Sequence, residues 1–277
     1  MAAPTVTVAR STGRAPTALG GVGRVVEHHW RWYRRNWRAT AVSSILQPLL
    51  FLLAFGVGFG ALVANGPNAA AATGGVPYLV WLAPALLAMS AAQSAAFDST
   101  YPILSGFKWQ RIYLAMSAGP ITGAQVGLGV LAWTGIKMLG SGAVYVVVIA
   151  VFGGVQGPGI VVSLLAALLT GLAVASLITA FAATVENEGN AFSALFRFVV
   201  IPMTLFSGTF FPVDRLPAWV QPVVWISPLW HGTEVARGAA LGTWRLLPTL
   251  GHLAVLVGLL VLGGVLVARL FTRRLAK

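Results

Sequence analysis

Cysteine is absent from this sequence, which excludes disulfides and thiolate metal sites. Charge is scarce: Asp, Glu, Lys and Arg make up 9% of 277 residues, against 57% hydrophobic. A soluble domain carries about a quarter charged residues, so lipid is the expected solvent for most of the chain. There are six acidic and three lysine residues. The lysines follow Phe107, Ile136 and Ala276, so no Gly-Lys pair exists and the phosphate-cradling loop G-x-x-x-x-G-K-[ST] is excluded. Apart from His252, near the start of the last apolar run, acids and histidines fall in expected flanks, loops or the opening stretch. No acid–base pair or metal-ligand spacing appears. His231 and Glu234 stand three apart, a spacing more typical of a cap or surface contact than of a metal site.

What the sequence has is basic charge at its ends. The net charge is +12. Seven basic residues precede position 40, and Arg269, Arg273, Arg274 and Lys277 close the chain. Such clustering beside apolar runs orients a membrane protein and argues against a nucleic-acid partner. Residues 1–22 read as a flexible tail of Ala, Thr, Pro and Gly. The first apolar run starts near Ala41 and is too long for a secretory signal, so no cleaved leader is expected. In residues 23–40, Val26, Trp30, Tyr33 and Trp37 share one helical face, with arginines largely around the rest. An amphipathic helix in the lipid headgroup layer is expected there; the alternative is the snorkelling start of the first span.

Residues 41–277 form the expected membrane domain, with spans at about 41–64, 78–97, 121–152, 160–184, 191–211 and 249–270, each meeting the length rule of ~20 apolar residues. With the N-terminus inside, 14 basic residues lie on the inner side and three on the outer, so both termini are expected in the cytoplasm of a multi-pass cell-membrane protein. Lys137 is the clear intramembrane charge. Gly127, Val130, Thr134, Lys137, Ser141 and Tyr145 recur at helical spacing as a polar seam. The seam reads equally well as one wall of a substrate pathway and as a buried helix contact in which Lys137 meets a backbone carbonyl. Gly-x-x-x-Gly at 56–60, 119–123 and 123–127 permits close helix packing.

Two segments break the pattern of spans. Residues 98–118 are too polar to cross, yet carry Tyr101, Gly106, Lys108, Trp109, Arg111 and Tyr113. They read as a cytoplasmic helix offered to a soluble partner, or as one lying on the membrane. Residues 206–242 hold prolines at 212, 217, 222 and 228, with Asp214, Arg215, His231, Glu234 and Arg237, and no single spanning helix accepts that density of breaks. Ser227-Pro228 reads as an N-cap and first-turn proline, beginning a helix that Gly242 can end.

The late stretch carries Ser207, Gly208, Phe210, Phe211, Pro212, Asp214, Leu216 and Pro217, then Pro228, Leu229, His231, Glu234, Arg237 and Gly242. With the aromatic, basic N-terminal helix and the 98–118 segment, it resembles the permease subunits of type-2 ABC exporters, in the branch exporting nodulation lipo-oligosaccharides and daunorubicin-like drugs. The likeness runs from about residue 24; the opening Ala, Thr and Pro run departs from it. It implies an all-α integral membrane fold with six transmembrane helices, an interfacial N-terminal helix, a cytoplasmic coupling helix and an extracytoplasmic re-entrant helical hairpin. It also implies a non-catalytic subunit exporting an amphipathic molecule. No cofactor is then bound by this chain: ATP and Mg belong to two copies of a cytoplasmic ABC ATPase subunit, and a second permease copy or paralogue completes the transporter. On that reading Tyr101, Gly106, Lys108, Trp109, Arg111 and Tyr113 couple to the ATPase, and Thr134, Lys137, Ser141 and Tyr145 are pathway candidates. Asp214, Arg215, His231, Glu234 and Arg237 belong to the hairpin. A secondary carrier or a membrane-embedded transferase is the alternative, the first needing a midplane acid or inverted repeats, the second convergent acid, His or metal ligands.

Overall fold

The computed structural model of the chain describes residues 17–60, 73, 75–186 and 190–276. Residues 1–16 of the expected tail, 61–64 of the first expected span and 187–189 of the expected inner turn lie outside the described residues. Every regular element among the described residues is helical. In chain order these are α1 (Ala18–Phe51), which continues as a π-helical stretch Leu52–Phe59, α2 (Tyr78–Asp98), α3 (Tyr101–Lys108), α4 (Ile112–Ser117), α5 (Gly123–Val151) and α6 (Gly159–Thr184). A run of α7 (Ala191–Leu195), a π-helical turn Phe196–Val200 and α8 (Ile201–Phe206) follows. A 3-10 turn Val213–Arg215, α9 (Gln221–Ile226), α10 (Pro228–Leu241) and α11 (Leu246–Leu275) complete the chain.

Among the described residues, four stretches are long and apolar enough to cross a bilayer: Tyr78–Lys108, Gly123–Val151, Gly159–Thr184 and Leu246–Leu275. They correspond to the second, third, fourth and sixth expected spans. The fifth is shorter than its expected 191–211. Its helix ends at Phe206, because the chain turns at Gly208, whose φ of 74° is easily reached only without a side chain. At ~1.5 Å per residue this helix is ~24 Å long, less than the ~30 Å of hydrocarbon. α1 shows no break at residue 40, where the interfacial helix was expected to hand over to the first span. Its aromatic stripe is partly covered by protein: Tyr33 and Trp30 set their rings 5.5 and 6.2 Å from that of Trp133 on α5.

α6 is the central helix, packed by α2, α10 and α11. Small residues permit the approach. Gly232 of α10 abuts Thr170, Gly263 of α11 abuts Ser176, and Gly159 lies against the backbone of Ala239. Of the three Gly-x-x-x-Gly pairs, 123–127 joins two long helices: Gly123 meets Thr272, and Gly127 meets Val267 and Phe271 of α11. α5 begins with a complete capping box, in which the Thr122 hydroxyl accepts from the Gln125 amide and the Gln125 side chain accepts from the Thr122 amide.

Candidate functional site

Three places gather the residues singled out in the sequence. The first is the corner formed by α3 and α4. Its residues divide into two sets. Tyr101, Lys108, Trp109 and Arg111 are exposed, Trp109 by 51%, and Leu114 adds 42% to that face. Gly106 and Tyr113 are buried instead. The Tyr113 ring crosses the space above Gly106 and packs edge-on to Phe107 at 4.8 Å. Phe271 of α11 lies 4.8 Å from Phe107 and 5.6 Å from Tyr113. Arg111 turns the chain between the two helices with φ of 51°, the left-handed region that costs a side-chain-bearing residue energy.

Arg274 then ties this corner to the rest of the molecule. Its guanidinium lies 4.1 Å over the Phe107 ring. It also donates to the carbonyls of Ala182 and Ala183 at 3.1 and 3.0 Å, in the last turn of α6, the end of a helix where cations are favoured. One side chain thus links α3, α6 and α11. Arg274 carries no motif signal; only its place in the last turn of a basic C-terminus marked it.

Beside this corner, a cavity of about 210 Å³ opens between α1, the end of α2, α3 and α5. Lys137 and Asp98 line it as an ion pair of 2.8 Å, with side chains 22% and 29% exposed. The partner of Lys137 is therefore a carboxylate, where the sequence suggested a backbone carbonyl. Thr134, His29 and Gln110 also line the cavity. Burial above all, then the charges of His28 and Lys137, pushes His29 down to about 4, so it is neutral at ordinary pH. The rest of the seam turns elsewhere. Ser141 donates to the Met138 carbonyl within its own helix, and Tyr145 is fully buried in the core. A larger, mostly apolar cavity of about 430 Å³ lies between the end of α1, α2 and α8, lined by Phe51, Phe55, Met89, Gln93, Thr204 and Phe206, with Phe210 and Phe211 beyond. Apart from the two phenylalanines after Gly208, no residue singled out above marks it.

The third place is the hairpin. Asp214 and Arg215 are exposed, as are Trp219 (79%) and Trp225 (50%). His231 and Arg237 are buried. Arg237 stacks on the Trp81 ring of α2 at 3.7 Å and donates to the Trp81 carbonyl at 3.2 Å. Its other nitrogens donate to the Gly208 and Thr209 carbonyls at 2.9 and 3.4 Å and face Glu234 at 3.6 Å. The second limb of the hairpin thereby grips the first limb and α2 at once. Tyr78 adds a donation to the Phe210 carbonyl at 2.9 Å. Ser227 occupies the cap position of α10, and Gly242, with φ of 67°, ends the helix as its sequence suggested. The Ser227 hydroxyl does not cap, however. It bonds Ser207 at 2.7 Å and closes the base of the hairpin.

The geometry is thus a helical membrane bundle with an aromatic corner at α3 and α4 and an arginine-stapled hairpin. Its sequence is similar to that of Nodulation protein J from Rhizobium meliloti (strain 1021), 33% identical over 227 residues, which cover 77% of this chain and 82% of that protein. The Nodulation protein J of Rhizobium leguminosarum bv. trifolii is 32% identical over 238 residues, 83% of this chain and 87% of the relative. A daunorubicin resistance ABC transporter permease protein from Streptomyces coeruleorubidus is 24% identical over 247 residues, 84% and 80% of the two chains. The model of the ABC-2 type transporter family matches residues 22–241, a span that takes in both the corner of α3 and α4 and the hairpin: this chain belongs to the ABC-2 type transporter family, as a membrane permease subunit.

Proposed function

We propose that this permease moves an amphipathic molecule (a lipid, glycolipid, lipo-oligosaccharide or hydrophobic drug) out across the cytoplasmic membrane. ATP binding and hydrolysis, with Mg, belong to two copies of a separate cytoplasmic ABC ATPase, and a second permease completes the transporter. The observation that carries this reading is the divided corner of α3 and α4. One face shows Lys108, Trp109 and Arg111 outward, and the other is locked through Phe107, Tyr113 and Arg274 to the ends of α6 and α11. A partner pushing on the outer face therefore moves two long helices together, as differential binding to two states requires. The aromatic cavity beside α8 has the size and lining of a ligand site, which suits an apolar chain, while Lys137, Asp98 and Thr134 offer polar contacts on the inner side. On this reading Lys137 and Thr134 serve the substrate pathway, and Ser141 and Tyr145 support the helix that carries them.

The corner supplies the test. Trp109→Asp and Leu114→Asp change exposed side chains only, so each variant will purify folded but lose retention of the ATPase subunit. Retention at the wild-type level in both would place docking elsewhere. Gly106 is unsuited to this test, because any larger residue there displaces Tyr113 from the core.

The reading also places both termini in the cytoplasm and the hairpin on the outer side, entering the leaflet and returning. Irregular backbone at that depth survives only where protein covers it, and the packing of α10 on α2 and α6 provides such cover. The cysteine-free background allows direct mapping. Single cysteines at the exposed positions Asp214 and Thr243 will both react with an impermeant thiol reagent outside intact cells, and one at Gln110 will not. Labelling at only one outer position would mean that the segment crosses.

A further inference from the structure

One histidine of the hairpin and one of the last long helix form a pair that neither the corner of α3 and α4 nor the arginine staple uses. His231 of α10 and His252 of α11 bring their Nδ1 atoms within 2.8 Å. On its other side, His231 places Nε2 2.9 Å from the Trp225 carbonyl at the end of α9. The Trp230 ring closes over both, with ring centres 4.8 and 4.9 Å away.

The tautomers follow from these contacts. A carbonyl can only accept, so Nε2 of His231 carries a proton. In the neutral pair Nδ1 of His231 is then the acceptor, and the proton between the rings belongs to Nδ1 of His252. The ring centres are 5.0 Å apart, close to the nitrogen separation plus one ring radius at each end. The two nitrogens therefore point at each other head-on. A metal would need their lone pairs to converge on a third point, which this geometry does not provide; it is a hydrogen bond.

We propose that His231 and His252 form a proton-sharing latch that holds the hairpin to the last long helix and releases it when both rings are protonated. One added proton keeps the bond. His231 becomes the donor, and His252 accepts at Nδ1 with its own proton on Nε2. A second added proton leaves a hydrogen on each facing nitrogen and two like charges side by side, so the bond is lost and repulsion replaces it. The pair titrates as a unit, and the latch is closed while the pair holds at most one added proton and opens in acid, when it holds two.

Other ionisable groups on the packed elements do not reproduce this. On α10 itself, Glu234 and Arg237 face each other at 3.6 Å. α2 brings Tyr78 and Asp98, and α5 brings Lys137, paired with Asp98, and the buried Tyr145. α6 and α9 hold no titratable side chain. Arg245 precedes α11, whose Arg269, Arg273 and Arg274 lie at its far end, and Tyr113 of α4 is also at that far end, against Phe271. Arg237 continues to hold α10 on α2 when the latch opens, so the α9–α10 corner swings from α11 while the rest of the hairpin stays docked.

The full chain in lipid nanodiscs, spin-labelled at the exposed positions Ile226 and Val257 through introduced cysteines, tests this by the distance between labels. The wild-type background will show a narrow distribution at pH 7.5 that lengthens and broadens at pH 4.5. His252→Gln will keep the narrow distribution at both pH values, because its amide can donate to a neutral His231 or accept from a protonated one. His252→Leu will remove the pH response. An unchanged wild-type distribution between the two pH values, or a His252→Gln chain that broadens as the wild type does, would overturn the latch.

Discussion

Arg237→Met will lower the stability of the permease by about 3–5 kcal/mol, the range found when one partner of a buried charged network is removed. Arg237 is 9% exposed, and its guanidinium donates to three carbonyls, those of Trp81, Gly208 and Thr209. Methionine fills much of the volume but takes this donor from the Gly208 and Thr209 carbonyls, which lie outside any helix, and that is the costly half of losing a hydrogen bond. Arg237→Lys will recover only part of the loss. An ammonium keeps the charge over Trp81 but lacks the planar fork that reaches two limbs of the hairpin together. Denaturant or thermal unfolding in detergent measures the difference. A loss of under about 1 kcal/mol for Arg237→Met, the scale of an ordinary hydrogen bond, would mean that the hairpin is held by apolar packing alone.

Gly159→Ala will be comparably damaging, although it adds one methyl group. A Cβ at this position falls on the carbonyl of Ala239 in α10. Overpacking usually costs about 1–3 kcal/mol because flexible side chains can yield. Here both sides of the clash are backbone, so α10 must move off α6. The hydrogen bond from the Ser163 hydroxyl to the Ala236 carbonyl, 2.6 Å long, lies beside the contact and is expected to break with it. Gly258→Ala is the control. That glycine is in α11 with open space around it, and alanine is the better helix former by about 0.5–1 kcal/mol. The contrast between the two is read from unfolding midpoints and from hairpin accessibility. Equal behaviour of the two variants would show that α10 does not rest on Gly159.

Much of this was visible in the amino-acid sequence, for reasons that are local. Apolar runs reveal membrane helices because each must satisfy its own backbone in lipid. A helix stop at Gly242 is legible because one residue adopts φ above zero. The family motif was legible too, but not what its residues do. His231, Glu234 and Arg237 share one pattern, and only the fold makes Arg237 a staple and His231 half of a histidine pair. Their partners are distant in sequence or carry no mark: Trp81 lies 156 residues from Arg237, and His252 looked like an isolated histidine near a helix start. The same holds at the corner of α3 and α4. The polarity of the segment and the family resemblance grouped Tyr101, Gly106, Lys108, Trp109, Arg111 and Tyr113 as one coupling element, whereas packing against Phe271 buries Gly106 and Tyr113 and leaves the others outside. For Lys137, composition required a partner at membrane depth, but either a carbonyl or a carboxylate would have met that need. The tertiary structure chose Asp98, because the end of α2 and the middle of α5 meet at that level. Sequence periodicity records which face of a helix leaves the solvent, and only the assembled bundle decides what that face meets.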